Sequence, residues 1–391
     1  MGHPSPRTVA AARAEEAVSS MLLSSEKGSG SASLDGALAQ QYGGKHVGGW
    51  VSRLPASWVP YVQLTRLSPP AALALIYFPH FFGVLLAAIL CGSPVTAVLR
   101  ACAVLLVGSF FFSNAAHAWN DLVDAPLDAA VARTRARPIP RGAISPRAAF
   151  VFTATQAVGA AAVLLLFPDP AGAACYTLPN ILATAYYPWA KRHTHFAQLV
   201  LGACLAWGVV VGCVAMGYEP FAAPPVFALR LPAGRPSARA STPTVAVWAA
   251  SLLGADVQLG VSVLCLWVAC VLWSAIYDTI YAHQDVKDDT ALGLKSLAVL
   301  FRRRTKPVLW LALAAMVGLL AACGVSAAMA VPYYIVALGG CALSLGAMVA
   351  MVDLADPASC WWWFRYGFWG AGLSIAGGLL SEYLVRIAWG W

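Results

Sequence analysis

The chain has 391 residues, of which 60% are hydrophobic and only 11% charged, with a mean hydropathy of +0.70; this balance excludes an ordinary soluble domain and points to an integral membrane protein. Its formal net charge of +8 does not indicate nucleic acid as a partner, because the basic residues are spread over short loops between apolar runs and are not gathered on one soluble face. The ten cysteines include no CxxC pair and no short Cys/His cluster, and most, such as Cys102, Cys204, Cys265, Cys270 and Cys341, sit inside apolar runs as small hydrophobes, so neither a disulfide framework nor a zinc site is implied.

Taken in chain order, residues 1–57 read as a mobile tail, rich in Ser, Gly and Ala and without a long apolar run. The tail lacks the apolar core of a secretory signal, and Glu15 and Glu16 interrupt what would be an Arg-containing transit helix, so an endomembrane fits better than the mitochondrial inner membrane. Trp58, Tyr61 and Arg66 then mark a membrane interface. From residue 58 to 391 the chain reads as one transmembrane domain. Apolar runs of about 20 residues, the length that crosses a bilayer, occupy 71–91, 97–119, 147–167, 172–189, 197–217, 259–282, 307–326, 331–352 and 366–388. The expected architecture is all-α, with about nine transmembrane helices arranged as two four-helix halves plus one around a central cavity.

Alternate loops differ sharply in charge. One set holds Arg133, Arg135, Arg137, Arg141, Arg147, Lys191, Arg192, Lys287, Lys295, Arg302, Arg303, Arg304 and Lys306; the other holds only Arg100, Arg230, Arg235 and Arg239. By the positive-inside rule the first set faces the cytosol. Residues 218–245 contain six prolines, which forbids a continuous helix, and read as a long non-cytosolic loop or an insertion with no catalytic role. Trp361, Trp362 and Trp363 read as another interfacial belt.

Two acidic stretches interrupt the apolar pattern, both on the basic side. In NDLVDAPLD, Asn120, Asp121, Asp124 and Asp128 stand at offsets 0, 1, 4 and 8, within an arc of roughly 100° on an α-helix. In DTIYAHQDVKDD, Asp278, Asp285 and Asp289 stand at offsets 0, 7 and 11, within about 40° of one another if the helix is continuous, and Tyr281 and Asp288 flank them. A solvated, acid-capped helix end would account for the first stripe alone. Two such stripes at matching helix ends suggest two jaws closing on a multivalent cation, because like charges beside lipid need compensation. Oxygen-only ligands suit Mg²⁺.

These two motifs, with RTRARP at 133–138, YPWAK at 187–191 and GLKS at 293–296, resemble the UbiA family of intramembrane aromatic prenyltransferases over roughly residues 58–390. Within it the chain is most similar to the 4-hydroxybenzoate polyprenyltransferase branch, which includes enzymes that farnesylate aromatic polyketides in meroterpenoid pathways. The resemblance implies an Mg²⁺-dependent transfer of a prenyl group, farnesyl in the leading reading, from an allylic diphosphate to a phenolic acceptor. It implies metal ligation by Asn120, Asp121, Asp124, Asp128, Asp278, Asp285, Asp288 and Asp289. Catalysis falls to Asp124, Asp128, Asp278, Asp285 and Lys191, and substrate contacts to Arg66, Asn120, Arg133, Arg137, Tyr187, Tyr281 and Lys295. An apolar groove between helices, open to lipid, would hold the isoprenoid tail. His117 and His283 are read as polar neighbours, since Mg²⁺ prefers oxygen. After Arg66 the chain departs from the branch pattern, with Leu67, Ser68, Pro69, Pro70 and Ala71 where an acid and a basic residue are expected before Pro and Gly; this leaves the acceptor open. Three other readings compete: the ubiquinone-pathway enzyme, a terpene cyclase of the same architecture, and a transporter, the last disfavoured because the acids lie at helix ends beside basic loops.

Overall fold

In lipid a backbone must satisfy its own hydrogen bonds, which leaves a helix as the route for each apolar run. The computed structural model follows this over the residues it describes, 43–68, 71–222 and 258–389. After a short α1 (Val59–Leu64) come α2 (Ala71–Cys91), α3 (Val95–Asp128), α4 (Pro146–Val163), α5 (Pro170–His193) and α6 (Ala197–Ala215, interrupted at Trp207). Then follow α7 (Val261–Ala282), the short α8 (Val286–Ala291) and α9 (Leu297–Phe301), α10 (Thr305–Ser326), α11 (Val331–Met351, with a π-helical turn at Tyr334–Gly339) and α12 (Pro357–Ala388). Eight spans among the described residues are long and apolar enough to cross a membrane. The expected fourth span, α5, is a helix of 24 residues but is not among the eight; it carries Asn180, two internal prolines and the polar end Lys191, Arg192 and His193.

Three boundaries differ from the sequence reading for identifiable reasons. Helix α3 runs on to Asp128 and carries the whole first motif. Helix α7 ends at Ala282 and gives way to a 3₁₀ turn, His283–Asp285, before α8, so the second motif is not one continuous stripe. Helix α12 begins at Pro357 because Asp356 accepts hydrogen bonds from the amides of Ala358 (2.9 Å) and Ser359 (3.1 Å), with proline at the first helical position. The Trp run therefore lies inside a helix: Trp362 is exposed, whereas Trp361 and Trp363 pack against the core.

The described part of the N-terminal segment, from residue 43, is largely exposed but anchored: Val51 is buried, and Gln63 donates to the His46 carbonyl at 3.0 Å. Phe221–Ala222 and Gln258–Leu259 pair antiparallel on either side of residues 223–257, which, with most of the proline-rich loop 218–245, lie outside the described residues, as do residues 1–42.

Helices α2 and α6, the first members of the two expected halves, cross at very close range. A Cβ at Gly83 would lie 2.1 Å from the Val209 carbonyl oxygen, and one at Gly212 would lie 2.2 Å from that of His80. Small residues are what permit such backbone approach in a membrane bundle. In each half the motif-bearing second helix packs along the third, α3 on α4 and α7 on α10, while α12 closes the bundle against α2, α7 and α11. At the end away from the motifs, Arg386 donates to Glu382 (2.7 Å), to the Ile89 carbonyl (3.2 Å) and to the Ala327 carbonyl (2.7 Å), and Glu382 also accepts from the Ala330 amide (2.7 Å). One ion pair thus ties α12 to α2 and to the α10–α11 turn. Gly212→Ala should destabilise the bundle by about 1–3 kcal/mol, the range for overpacking, read as a lower midpoint of thermal unfolding in detergent. Gly318→Ala, where a Cβ meets nothing within 4 Å, should leave that midpoint unchanged.

Candidate active site

Where α3, α5 and α7 end, they surround a cavity of about 240 Å³. Its wall brings together twelve of the residues singled out from the sequence: Arg66, Asn120, Asp128, Arg133, Arg137, Tyr187, Lys191, Asp278, Tyr281, Asp285, Asp289 and Lys295. Asp121 and Asp124 lie behind the wall, fully buried. Asp288 is also off the wall.

Each buried carboxylate has a basic partner, as burial of charge in an apolar bundle requires. Arg66 donates to Asp121 at 2.6 Å, and Arg137 donates to Asp121 at 3.0 Å and to Asp128 at 2.8 Å. Lys191 donates to Asp124 at 2.5 Å. Arg133 crosses from the first motif's loop to the second motif, with Nε on Asp285 Oδ1 (3.0 Å), Nη2 on Asp285 Oδ2 (2.5 Å) and Nη1 on the Tyr281 hydroxyl (2.7 Å). Burial opposes the charge on Arg133 and Arg137, but Asp285 and Asp121 outweigh it and hold both guanidiniums above their ordinary range.

Local structure explains the remaining motif letters. Thr134 donates to the Asp128 carbonyl at 3.1 Å, folding the RTRARP loop back over the end of α3. Arg141 joins this loop to α1 through the Gln63 side-chain oxygen at 2.6 Å. Gly293 has φ +69°, a left-handed turn that favours glycine, and Ser296 caps α9 by accepting from the Val299 amide at 3.1 Å. Lys295 is placed by its own backbone, whose amide donates to the Lys191 carbonyl at 2.7 Å. Arg66 itself is left-handed, with φ +56°, a conformation costing an L-residue about 1–2 kcal/mol.

The two carboxylate sets face one cavity without forming one cluster: among the described residues, no three His, Cys, Asp or Glu side chains are grouped so as to hold a metal. The donor set still fits Mg²⁺. It is made of oxygens, and Asp121 Oδ2 and Asp124 Oδ1 are buried with no hydrogen-bond partner, which leaves ligand capacity beside the basic side chains. The histidines are held as polar neighbours, His117 Nδ1 donating to the Ser113 carbonyl at 2.7 Å and His283 Nε2 lying 3.0 Å from the Thr305 hydroxyl.

The sequence reading missed several wall residues. Tyr277 and Phe364 line the cavity, and the Phe364 ring lies 4.1 Å from that of Tyr281, which is already held by Arg133. Phe364 falls one helical turn past Trp361, a spacing that becomes informative once the Asp356–Pro357 cap is seen as the start of α12. A second, almost wholly apolar cavity of about 250 Å³ lies between α3, α4 and α5 and shares Phe112, Ala116 and Thr184 with the first.

Residues 76–234 and 237–372 match the model of the UbiA prenyltransferase family, and the chain belongs to that family. It is 32% identical over 344 residues to a mitochondrial 4-hydroxybenzoate polyprenyltransferase of Saccharomyces cerevisiae, covering 87% of this chain and 81% of that protein. It is 33% identical over 304 residues to the prenyltransferase ascA of Acremonium egyptiacum, covering 78% and 80%. Among solved structures, a UbiA homologue from Aeropyrum pernix superposes with a TM-score of 0.58 at 21% identity, covering 79% of this chain and 97% of that one. One from Archaeoglobus fulgidus, bound to GPP and Mg²⁺, does so with a TM-score of 0.54 at 18% identity, covering 82% and 99%.

Asp121 neutralises two guanidiniums at once, so Asp121→Asn should cost on the order of 3–5 kcal/mol, the scale for leaving buried charge unpaired. Thermal unfolding in detergent should show a larger loss for it than for Asp289→Asn, whose carboxylate makes no ion pair among the described residues.

Proposed function

We propose that this prenyltransferase moves a farnesyl group from its allylic diphosphate to a ring carbon of a phenolic, polyketide-type acceptor, as a step of secondary-metabolite biosynthesis. The observation that carries the reading is the junction of two cavities, one walled by the acids and bases of both motifs and the other apolar and reaching down between helices. A diphosphate and a prenyl chain are the two ends of one molecule that such a junction suits.

Asn120, Asp121, Asp124 and Asp128 on one side and Asp278, Asp285 and Asp289 on the other would hold Mg²⁺, with Asp288 in support, and the bound ion neutralises charge on the diphosphate. Arg133, Arg137, Lys191 and Lys295 orient the same group and stabilise charge growing on it as the C1–O bond breaks and its electron pair leaves with pyrophosphate. Arg66, held on Asp121 of the first set and lining the same cavity, is a contact to diphosphate or acceptor. Tyr187, Tyr281, Tyr277 and Phe364 present aromatic surface to the allylic cation and keep water from it. The ring's π electrons then form the new carbon–carbon bond, and loss of the ring proton restores aromaticity. The basic loops support a cytosolic-facing site.

A second reading, transfer of a longer prenyl chain to 4-hydroxybenzoate, is favoured by the similarity to the yeast protein. Leu67 and Ser68, which follow Arg66 where that branch has an acid and a basic residue, argue against the ubiquinone-pathway enzyme without identifying the acceptor. Membranes containing the protein, incubated with Mg²⁺, farnesyl diphosphate and a panel of phenolic acids, should release one pyrophosphate for each phenol consumed and give a farnesylated product by mass. Lys191→Ala should lower kcat per folded protein on the order of 100-fold, the scale for one preorganised donor, and should also lower membrane abundance, because the buried Asp124 loses its closest basic partner. Fast pyrophosphate release indifferent to every phenol would replace the transfer reading with a cyclase.

A further inference from the structure

The apolar cavity between α3, α4 and α5 has an end, and Phe167 forms it. This buried side chain lines that cavity on one side and, on the other, a third cavity of about 110 Å³ reaching Ser93, Arg100 and Met216. Among the described residues it is the one side chain common to both walls. Its backbone is fixed: the Phe167 amide donates to the Leu164 carbonyl at 3.1 Å, Pro168 prevents the helix from continuing, and Arg100 donates to the Leu166 carbonyl at 3.1 Å.

The dimensions match a short isoprenoid. From Asn120, at the polar end, to Leu105, on the wall near Phe167, α3 rises about 22 Å at about 1.5 Å per residue. An isoprene unit adds four main-chain carbons, about 5 Å when extended. With the diphosphate occupying the first turn of this distance, about three units fit, and a fourth reaches the plane of the Phe167 ring. Between the two ends the wall is kept open by small residues, Gly108, Ala157, Ala160 and Ala161.

We propose that Phe167 sets the maximum length of the prenyl chain, which runs from the shared wall at Phe112 down the α3–α4–α5 cavity and ends against the Phe167 ring. This rests on the prenyl-transfer reading above and adds to it the residue that selects the donor. Removing the ring joins the second and third cavities and admits a fourth unit, whereas filling the space at Ala160 excludes the third.

The test measures displacement of labelled farnesyl diphosphate from Mg²⁺-loaded membranes by geranyl, farnesyl and geranylgeranyl diphosphates, which needs no acceptor. Phe167→Ala should strengthen geranylgeranyl relative to farnesyl diphosphate about tenfold, the scale for burying one further apolar group, and Phe167→Leu should move the ratio the same way by less. Ala160→Phe should weaken farnesyl relative to geranyl diphosphate about tenfold. A tail that left sideways into lipid between α4 and α5 would not feel Phe167, so an unchanged rank order in all three variants overturns the proposal while leaving prenyl transfer standing. If the unsubstituted protein binds none of the three donors, the prenyl-transfer reading falls and the length selection falls with it.

Discussion

The site depends on one electrostatic constraint: several carboxylates and guanidiniums are buried together at the end of an apolar helix bundle. None of these charges is tolerable alone, because the cost of desolvating an isolated ion far exceeds the margin by which a protein is stable. Their mutual pairing therefore dictates where the loops go. Arg66 adopts a left-handed backbone to reach Asp121, the RTRARP loop folds back to bring Arg137 over the end of α3, and Arg133 crosses to Asp285. Asp121 sits at the centre of this arrangement, satisfying two basic groups that would otherwise repel each other. Its place behind the cavity wall suits a residue that organises the others.

The same pairing makes the site an assembly of both halves of the bundle. Lys191 joins α5 to α3, and the Lys295 amide joins the second motif's loop to the end of α5. The halves meet at their first helices through Gly83 and Gly212 and meet again across the cavity through Arg133 and Asp285. Contact at the middle and at one end defines their relative orientation, so the cavity between them is shaped by backbone packing as well as by its own side chains.

Much of this was legible in the sequence, and the exceptions have physical causes. The first acid stripe could be read because α3 continues unbroken to Asp128, so helical spacing held. The second could be read only as a set of residues: the 3₁₀ turn at His283 changes the register after Asp278, so the calculated stripe does not exist, although the fold still brings Asp278, Asp285 and Asp289 to one wall. Asp288 instead lies off that wall, which spacing does not reveal. Phe364 was hidden by the tryptophans before it, whose composition suggests an interface, whereas the Asp356 cap begins a helix there. Phe167 lies in a short turn between two apolar spans and carries no sequence signal at all; its position between two cavities exists only in three dimensions.

The Glu382–Arg386 pair has a mechanical consequence. It anchors the far end of α12 to two other elements, while the near end of the same helix carries Phe364 against Tyr281. Eighteen residues separate Glu382 from Phe364, a lever of about 27 Å along the helix axis. A tilt of about 2° about the anchored end therefore shifts Phe364 by about 1 Å, a displacement large enough to change rates when reacting groups must be aligned. Helix α12 thus links the aromatic wall at one end of the bundle to an ion pair at the other, so the width of that wall depends on packing far from the chemistry.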